Sequence, residues 1–183
     1  DEEIAYLCGL ISSDGIWRVR SRRQLIFVNT ELALHDRVAE ILRIHFDYSP
    51  KRHLNAKHYE TILPQGKTPN CLKDCYTTYI NSRFIRDALL EVQGRILEMP
   101  SYIIGAWLKG ISDRDGCIRL ESTMPQVILS AWNRRENQRI RDALLRIGIV
   151  TNLSPAARAG RDGRIFITGV EHLQRFWSRV HSD

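Results

Sequence analysis

Residues 7–15 read Leu7-Cys8-Gly9-Leu10-Ile11-Ser12-Ser13-Asp14-Gly15, and residues 108–116 read Leu108-Lys109-Gly110-Ile111-Ser112-Asp113-Arg114-Asp115-Gly116. At a constant offset of 101, Ala5 matches Ala106, Leu7 matches Leu108, Gly9 matches Gly110, Asp14 matches Asp115 and Gly15 matches Gly116. The likeness continues downstream. An Arg-bearing stretch leads to an aliphatic strand ending in an apolar residue plus Asn, Val28-Asn29 in one copy and Trp132-Asn133 in the other. A helix then closes in Ile41-Leu42-Arg43-Ile44 or Leu144-Leu145-Arg146-Ile147. Two copies of one supersecondary unit are the economical explanation.

Each copy reads in the order helix, strand, strand, helix, strand, strand, helix, which is an α+β pattern. In the first copy, residues 2–13 form a helix, and strands follow at 16–21 and 24–30 with Arg22-Arg23 at the turn. A helix spans 32–46, with Leu34, Val38, Ile41 and Leu42 at helical spacing. Strands at 51–62 and 73–81 flank a loop holding Pro64, Gly66, Pro69 and Asn70, and the closing helix runs over 82–92. In the second copy, Asp162-Gly163 is a hairpin turn between strands at 151–158 and 164–168, and the last helix covers 170–180. The halves are therefore expected at 1–93 and 101–183, joined by a linker at 94–100 in which Pro100 opens the next helix.

At 100° per residue, Ala5, Gly9, Ser12 and Ser13 fall within about 100° of one another, and Ile4, Leu7, Leu10 and Ile11 occupy the opposite side. Ala106 and Gly110 repeat the small strip, with Leu108 and Ile111 behind it. Such a helix packs its bulky side on a sheet and lets another helix backbone approach its small side. The expected partner is the other copy. Each helix ends in Asp followed by Gly, and Gly suits a left-handed C-terminal cap. Asp is misplaced there, because the carbonyl end of a helix repels a carboxylate by about 0.3–1 kcal/mol. Two such ends side by side also set Asp14 against Asp115. A hard divalent cation with oxygen ligands offsets that repulsion; the plainer alternative turns both side chains into water.

The two nonapeptides resemble the LAGLIDADG motif of homing endonucleases, and the resemblance covers nearly the whole chain. Motifs about 100 residues apart look like the single-chain, two-motif members encoded within introns or inteins. The resemblance implies two pseudo-twofold αββαββα halves forming a DNA-binding saddle, with the motif helices packed at its centre and each sheet in a major groove. It implies a site-specific enzyme that breaks both strands of a long, nearly palindromic DNA target by metal-dependent phosphodiester hydrolysis. Asp14 and Asp115, with Gly15 and Gly116, would hold Mg2+ or another divalent cation such as Mn2+ or Ca2+. Asn29 and Asn133 stand where the family often carries Gln or Asn near the active site; as residues just before a helix, they equally suit capping. A cation that stabilises the transition state is also expected, with Arg119, Arg134 and Lys73 as candidates. The sequence departs from the pattern at Ser12, at Lys109 and at Arg114, which stands where the first copy has Ser13. None of these removes a motif-ending carboxylate, but they imply unequal halves.

Charge points the same way. The 183-residue chain has 27 Lys and Arg against 21 Asp and Glu, a formal net charge of +6, and 22 of the 27 cations are Arg. Arg pairs bidentately with phosphate and with guanine edges, so this bias favours a nucleic-acid partner. Residues 100–183 carry net +5 and residues 1–99 net +1. Arg18, Arg20 and Arg22 alternate along one strand, with Arg23 at its turn, and place their guanidiniums on one face. Lys51, His53 and Lys57 repeat that spacing in the next hairpin. In the second copy, Arg119 opens a strand, and Arg158, Arg161 and Arg164 surround the Asp162-Gly163 turn. Arg134, Arg135, Arg139 and Arg141 lie on a helix and suit phosphates or solvent.

Cys8 and Cys117 read as small core residues; Cys71-x3-Cys75 with His53 and His58 is a conceivable zinc set, but its spacing is loose and the histidines suit a basic strand. No apolar run approaches the ~20 residues of a membrane span, and no export signal opens the chain. The expectation is an intracellular monomer, in cytoplasm, nucleoid or organelle, that binds double-stranded DNA. A non-cleaving nucleic-acid binding module, such as an intron RNA maturase with intron RNA as partner, is the alternative.

Overall fold

A computed structural model describes residues 1–12, 24–56, 74–120, 124–130, 134–154 and 163–181. Among these, six α-helices and seven strands form two antiparallel sheets, the α+β class expected. The chain divides into two compact units, Asp1–Gly15 with Ala88–Asp183, and Ile16–Asp87.

In the larger unit, helix α1 (Glu2–Ser12) packs along helix α4 (Ser101–Asp115), with helix α3 (Arg83–Arg95) ending in this unit. The small strip of each motif helix is where they meet. A Cβ on Gly9 would lie 2.0 Å from the Trp107 carbonyl oxygen, and one on Gly110 would lie 2.2 Å from that of Tyr6. Behind the strip, Leu7, Leu10, Ile11, Trp107, Leu108 and Ile111 are buried. The Trp107 indole N–H, which burial would otherwise strand, donates to Gln93 Oε1 at 2.8 Å. Residues 96–98 form a single 3-10 turn, with Ile96 fully buried.

The sheet of this unit runs β4 (Cys117–Arg119), β5 (Gln126–Leu129), β7 (Arg164–Thr168), β6 (Asn152–Ser154). Helices α5 (Arg134–Arg146) and α6 (Val170–Val180) complete the unit. Strand alternation buries Val127, Leu129, Ile165 and Ile167 on one face. Cys117 corrects the sequence reading: it is exposed. Strand β4 lies at the sheet edge, and all three of its residues are exposed, so the apolar neighbours of Cys117 do not cover it.

The smaller unit holds β1 (Leu25–Asn29), α2 (Leu32–Phe46), β2 (Lys51–Ala56) and β3 (Cys75–Ile80) in the order β1-β3-β2. Helix α2 has the bounds its spacing predicts and stops at Asp47 in the left-handed conformation. Its buried residues are His35, Val38, Ile41 and Leu42, and Leu34 is half-buried. Opposite them, Leu25, Phe27 and Ile80 fill the sheet's inner face. His35 joins the two layers. Its Nδ1 lies 2.6 Å from Thr78 Oγ1 and its Nε2 lies 3.2 Å from the Asn29 carbonyl oxygen. A carbonyl only accepts, so Nε2 carries the proton and Nδ1 accepts from the Thr78 hydroxyl.

Candidate metal and nucleic-acid site

Asp115 is the last residue of α4 and is half-buried. The next residue, Gly116, donates its N–H to the Ser112 carbonyl at 2.8 Å and so closes the helix. Its φ of −74° and ψ of 145° are extended, not the left-handed cap that the sequence suggested. Glycine is needed there for space: a Cβ would lie 2.3 Å from the Ser112 carbonyl oxygen and 2.8 Å from its Oγ.

Around these ends the helices exchange polar contacts. The Tyr6 hydroxyl donates to Asp113 Oδ2 at 2.9 Å, and Arg114 Nη1 donates to the Leu10 carbonyl at 2.6 Å. Ser12 Oγ instead donates within its own helix, to the Cys8 carbonyl at 2.6 Å. His181, just past α6, places Nε2 3.4 Å from Ser112 Oγ and packs its ring on Trp177, with centroids 4.8 Å apart. Burial holds the His181 pKa below the usual imidazole value; Asp113 opposes that shift and Lys109 adds to it. No sequence signal singled out His181, because it reaches Ser112 only through tertiary packing.

Metal-binding capacity here rests on donor chemistry. Among the described residues, no three His, Cys, Asp or Glu side chains converge. Asp115 places one carboxylate at the carbonyl end of a helix, beside Gly116, whose missing side chain makes room for Ser112. That all-oxygen set suits a hard divalent cation, which is commonly held by one or two carboxylates and completed by water and phosphate oxygens. Asp14 and Gly15, the matching pair, lie outside the described residues, as do Arg18, Arg20, Arg22, Arg23, Lys57, Lys73, Asn133, Arg158 and Arg161.

The chain runs from Asp115 directly into β4, which ends rather than begins at Arg119. Arg119 pairs with Gln126, and Gln126 pairs with Thr168. By alternation, Arg119 and Arg164 share the outward face with Ile128 and Phe166. Both arginines are exposed, on a sheet whose other face is core. Arg134 opens α5 and is exposed; Arg139, on the same helix, is paired with Glu136 at 3.1 Å.

In the smaller unit, Lys51 pairs with Tyr79 and His53 with Thr77, so Lys51 and His53 share the face away from α2. Arg52 points the other way, to Asp36 on α2 at 2.6 Å. Lys51, His53 and Tyr79 line an open groove of about 490 Å³ with Gln24 and Asn81. The His53 and Tyr79 rings meet edge-on at 5.4 Å. The sequence reading missed Gln24, Tyr79 and Asn81, which only strand pairing gathers. The register of β2 against β3 shifts between Leu54 and Ala56. Asn29, at the end of β1, accepts the Glu31 N–H on Oδ1 at 2.8 Å, which shapes the entry to α2.

This architecture is the LAGLIDADG fold. The crystal structure of I-DmoI in complex with DNA and Mn superposes with a TM-score of 0.67 at 16% identity, over 100% of this chain and 97% of that one. The N-terminal LAGLIDADG domain of DUF199/WhiA gives 0.72 at 12% identity, over 100% of this chain and 82% of that one. In sequence, the chain is 23% identical over 192 residues to the replicative DNA helicase DnaB of Synechocystis sp.; the match spans 98% of this chain and 22% of the helicase. No family model matches.

Proposed function

We propose that the chain is a site-specific, divalent-metal-dependent DNA endonuclease. The observation that carries this reading is the second motif helix. It packs on the first through paired glycines and ends in a carboxylate, from which the chain passes straight into a sheet with an outward arginine face. I-DmoI, a homing endonuclease of the same fold, is described in complex with DNA and Mn and with DNA and Ca. Asp115 and Asp14, with Gly116 and Gly15, are the residues that would hold the cation. Bound there, it would supply Lewis acidity for phosphodiester hydrolysis. Arg119, Arg164, Lys51 and His53 would meet DNA from outward sheet faces, where Arg and Lys read guanine edges or neutralise phosphate. By the family likeness, Asn29 and Asn133 would be the polar groups that serve the reaction.

The DnaB match does not make the chain a motor. Gly66-Lys67-Thr68 echoes the end of a phosphate-binding loop, but Thr61 stands where the Gly-x4-Gly-Lys-Thr pattern needs its first glycine. A stretch of about a fifth of a helicase, carrying a LAGLIDADG fold, is consistent with an element inserted into a host gene.

The test is cleavage of a randomised plasmid library with Mg2+ or EDTA. Mg2+-dependent linearisation at a defined site, abolished by Asp14→Asn and by Asp115→Asn with binding largely kept, is expected. Full cutting by either variant refutes the assignment. WhiA's domain shares the fold at the higher of the two TM-scores, so the fold alone does not select cleavage. Tight binding of DNA or intron RNA without cutting would select the non-cleaving alternative.

A further inference from the structure

The groove of the smaller unit carries chemistry that phosphate binding does not need. It is lined by Gln24, Lys51, His53, Tyr79 and Asn81. Leu25 pairs with Ile80, so one residue further along the same register Gln24 stands opposite Asn81. Residues opposed in this way have Cβ atoms about 4.5–5.5 Å apart, so the two carboxamides act at one place. In the next row of the same face, Tyr79 sits between Ile26 and Lys51. The Asn81 N–H donates to the Tyr48 hydroxyl at 2.8 Å, which fixes its backbone and leaves its amide to the groove. Among the described residues, nothing hydrogen-bonds the side-chain amides of Gln24 and Asn81 or the Lys51 ammonium, and no carboxylate lines the groove.

A carboxamide sets an N–H donor beside a carbonyl acceptor. Adenine in the major groove sets its N7 acceptor beside its N6 donor, and the two close bidentately. A phosphate oxygen only accepts and so uses half of a carboxamide. Guanine presents two acceptors, O6 and N7, which suit an ammonium. Lys51 lies one row from the carboxamides. Two residues of strand cover about 6.8 Å, or roughly two base-pair steps. We propose that Gln24 and Asn81 are specificity-determining residues that read an adenine in the major groove of target DNA, with Lys51 reading a guanine within about two base pairs of it. Tyr79, its ring edge-on to His53 at 5.4 Å, separates the two readers. This inference rests on the DNA-binding reading above and adds the bases that the groove selects.

Selection of a randomised duplex library by the full chain in EDTA tests it, because binding is then read apart from cleavage. The bound sequences are expected to hold adenine at one position by about 5- to 150-fold over other bases, with guanine within about two base pairs. Gln24→Ala combined with Asn81→Ala should lower that adenine preference to under about twofold and leave every other position unchanged. Lys51→Ala should relax the guanine alone. Gln24→Glu keeps the side chain's length but trades the donor for an acceptor, and should move the preference toward cytosine, whose N4 donates. Should the paired Ala variant fail to fold by circular dichroism, Gln24→Glu decides by itself. A selected site without the adenine, a folded Ala pair that weakens all sequences alike, a Lys51→Ala chain that keeps its guanine, or adenine retained by Gln24→Glu would each overturn the proposal. Site-specific DNA binding survives those results, since the wild type still selects a sequence. A wild type that selects none would overturn both.

Discussion

Replacing Gly110 with Ala probes the helix pair with one methyl group. The added Cβ would sit 2.2 Å from the Tyr6 carbonyl oxygen and 2.8 Å from the Leu10 nitrogen, and both are backbone atoms. No rotamer change relieves such contacts, so the helices must part by about 1 Å to restore ordinary separation. Overpacking of this kind costs about 1–3 kcal/mol, and a rigid backbone neighbour puts this case near the upper end. At about 2–4 °C per kcal/mol for a chain of this size, the melting temperature should fall by roughly 6–12 °C. Gly9→Ala, aimed at the Trp107 carbonyl oxygen 2.0 Å away, should match it. Gly94→Ala is the control: nothing lies within 4 Å of its Cβ, and it is helical. Its gain should be about 0.5–1 kcal/mol from helix propensity and lost chain freedom. Thermal melts followed at 222 nm read all three. A Gly110→Ala chain that melts within 1 °C of the wild type would refute the close crossing of the two helices.

Other expectations follow from the site and its surroundings. With its pKa depressed by burial, His181 binds fewer protons folded than unfolded below about 6.5. Stability should therefore rise with pH through the window below that value and level off above it. His181→Asn should flatten the rise, and a slope equal to the wild type's would exclude His181 as its source. Brief alkylation at pH 8 should modify exposed Cys117 and spare Cys8, whose thiol burial pushes up to about 12. Mass spectrometry showing Cys8 labelled in the native chain would contradict its burial. DNA affinity should fall at least tenfold between roughly 50 and 200 mM salt as counterions are released. Arg119→Ala and Arg164→Ala should reduce that slope, and an affinity insensitive to salt would speak against phosphate contact.

Periodic features were the ones legible in the sequence. Helix α2 took its bounds from Val38, Ile41 and Leu42 recurring on one face, and α6 came out over Val170–Val180 as expected. The glycine strip forecast the α1–α4 crossing because only small side chains let two backbones meet. What escaped depended on partners distant in the chain. His35 looked like an ordinary helix residue, but its burial follows from Thr78, 43 residues on. Cys117 had apolar neighbours yet lies on an edge strand, and sheet order is not written in local composition. Gly116 earned its place through Ser112 rather than through a left-handed backbone. The bulge between Leu54 and Ala56 has no mark in local composition, and alternation predicts faces only while register holds. Arg114 read as a deviation from a motif, and its bond to Leu10 became visible only once the helices were docked.

The reciprocal seating of Gly9 and Gly110 limits how the two copies can diverge. Each one's missing side chain is occupied by the other's main chain, so a mutation in either is felt by both. A chain repeated in this way can vary the strands of each copy separately. Its central helices must instead change as a couple, and chimaeras that graft one motif helix alone from a distant homologue should fold poorly unless its mate travels with it.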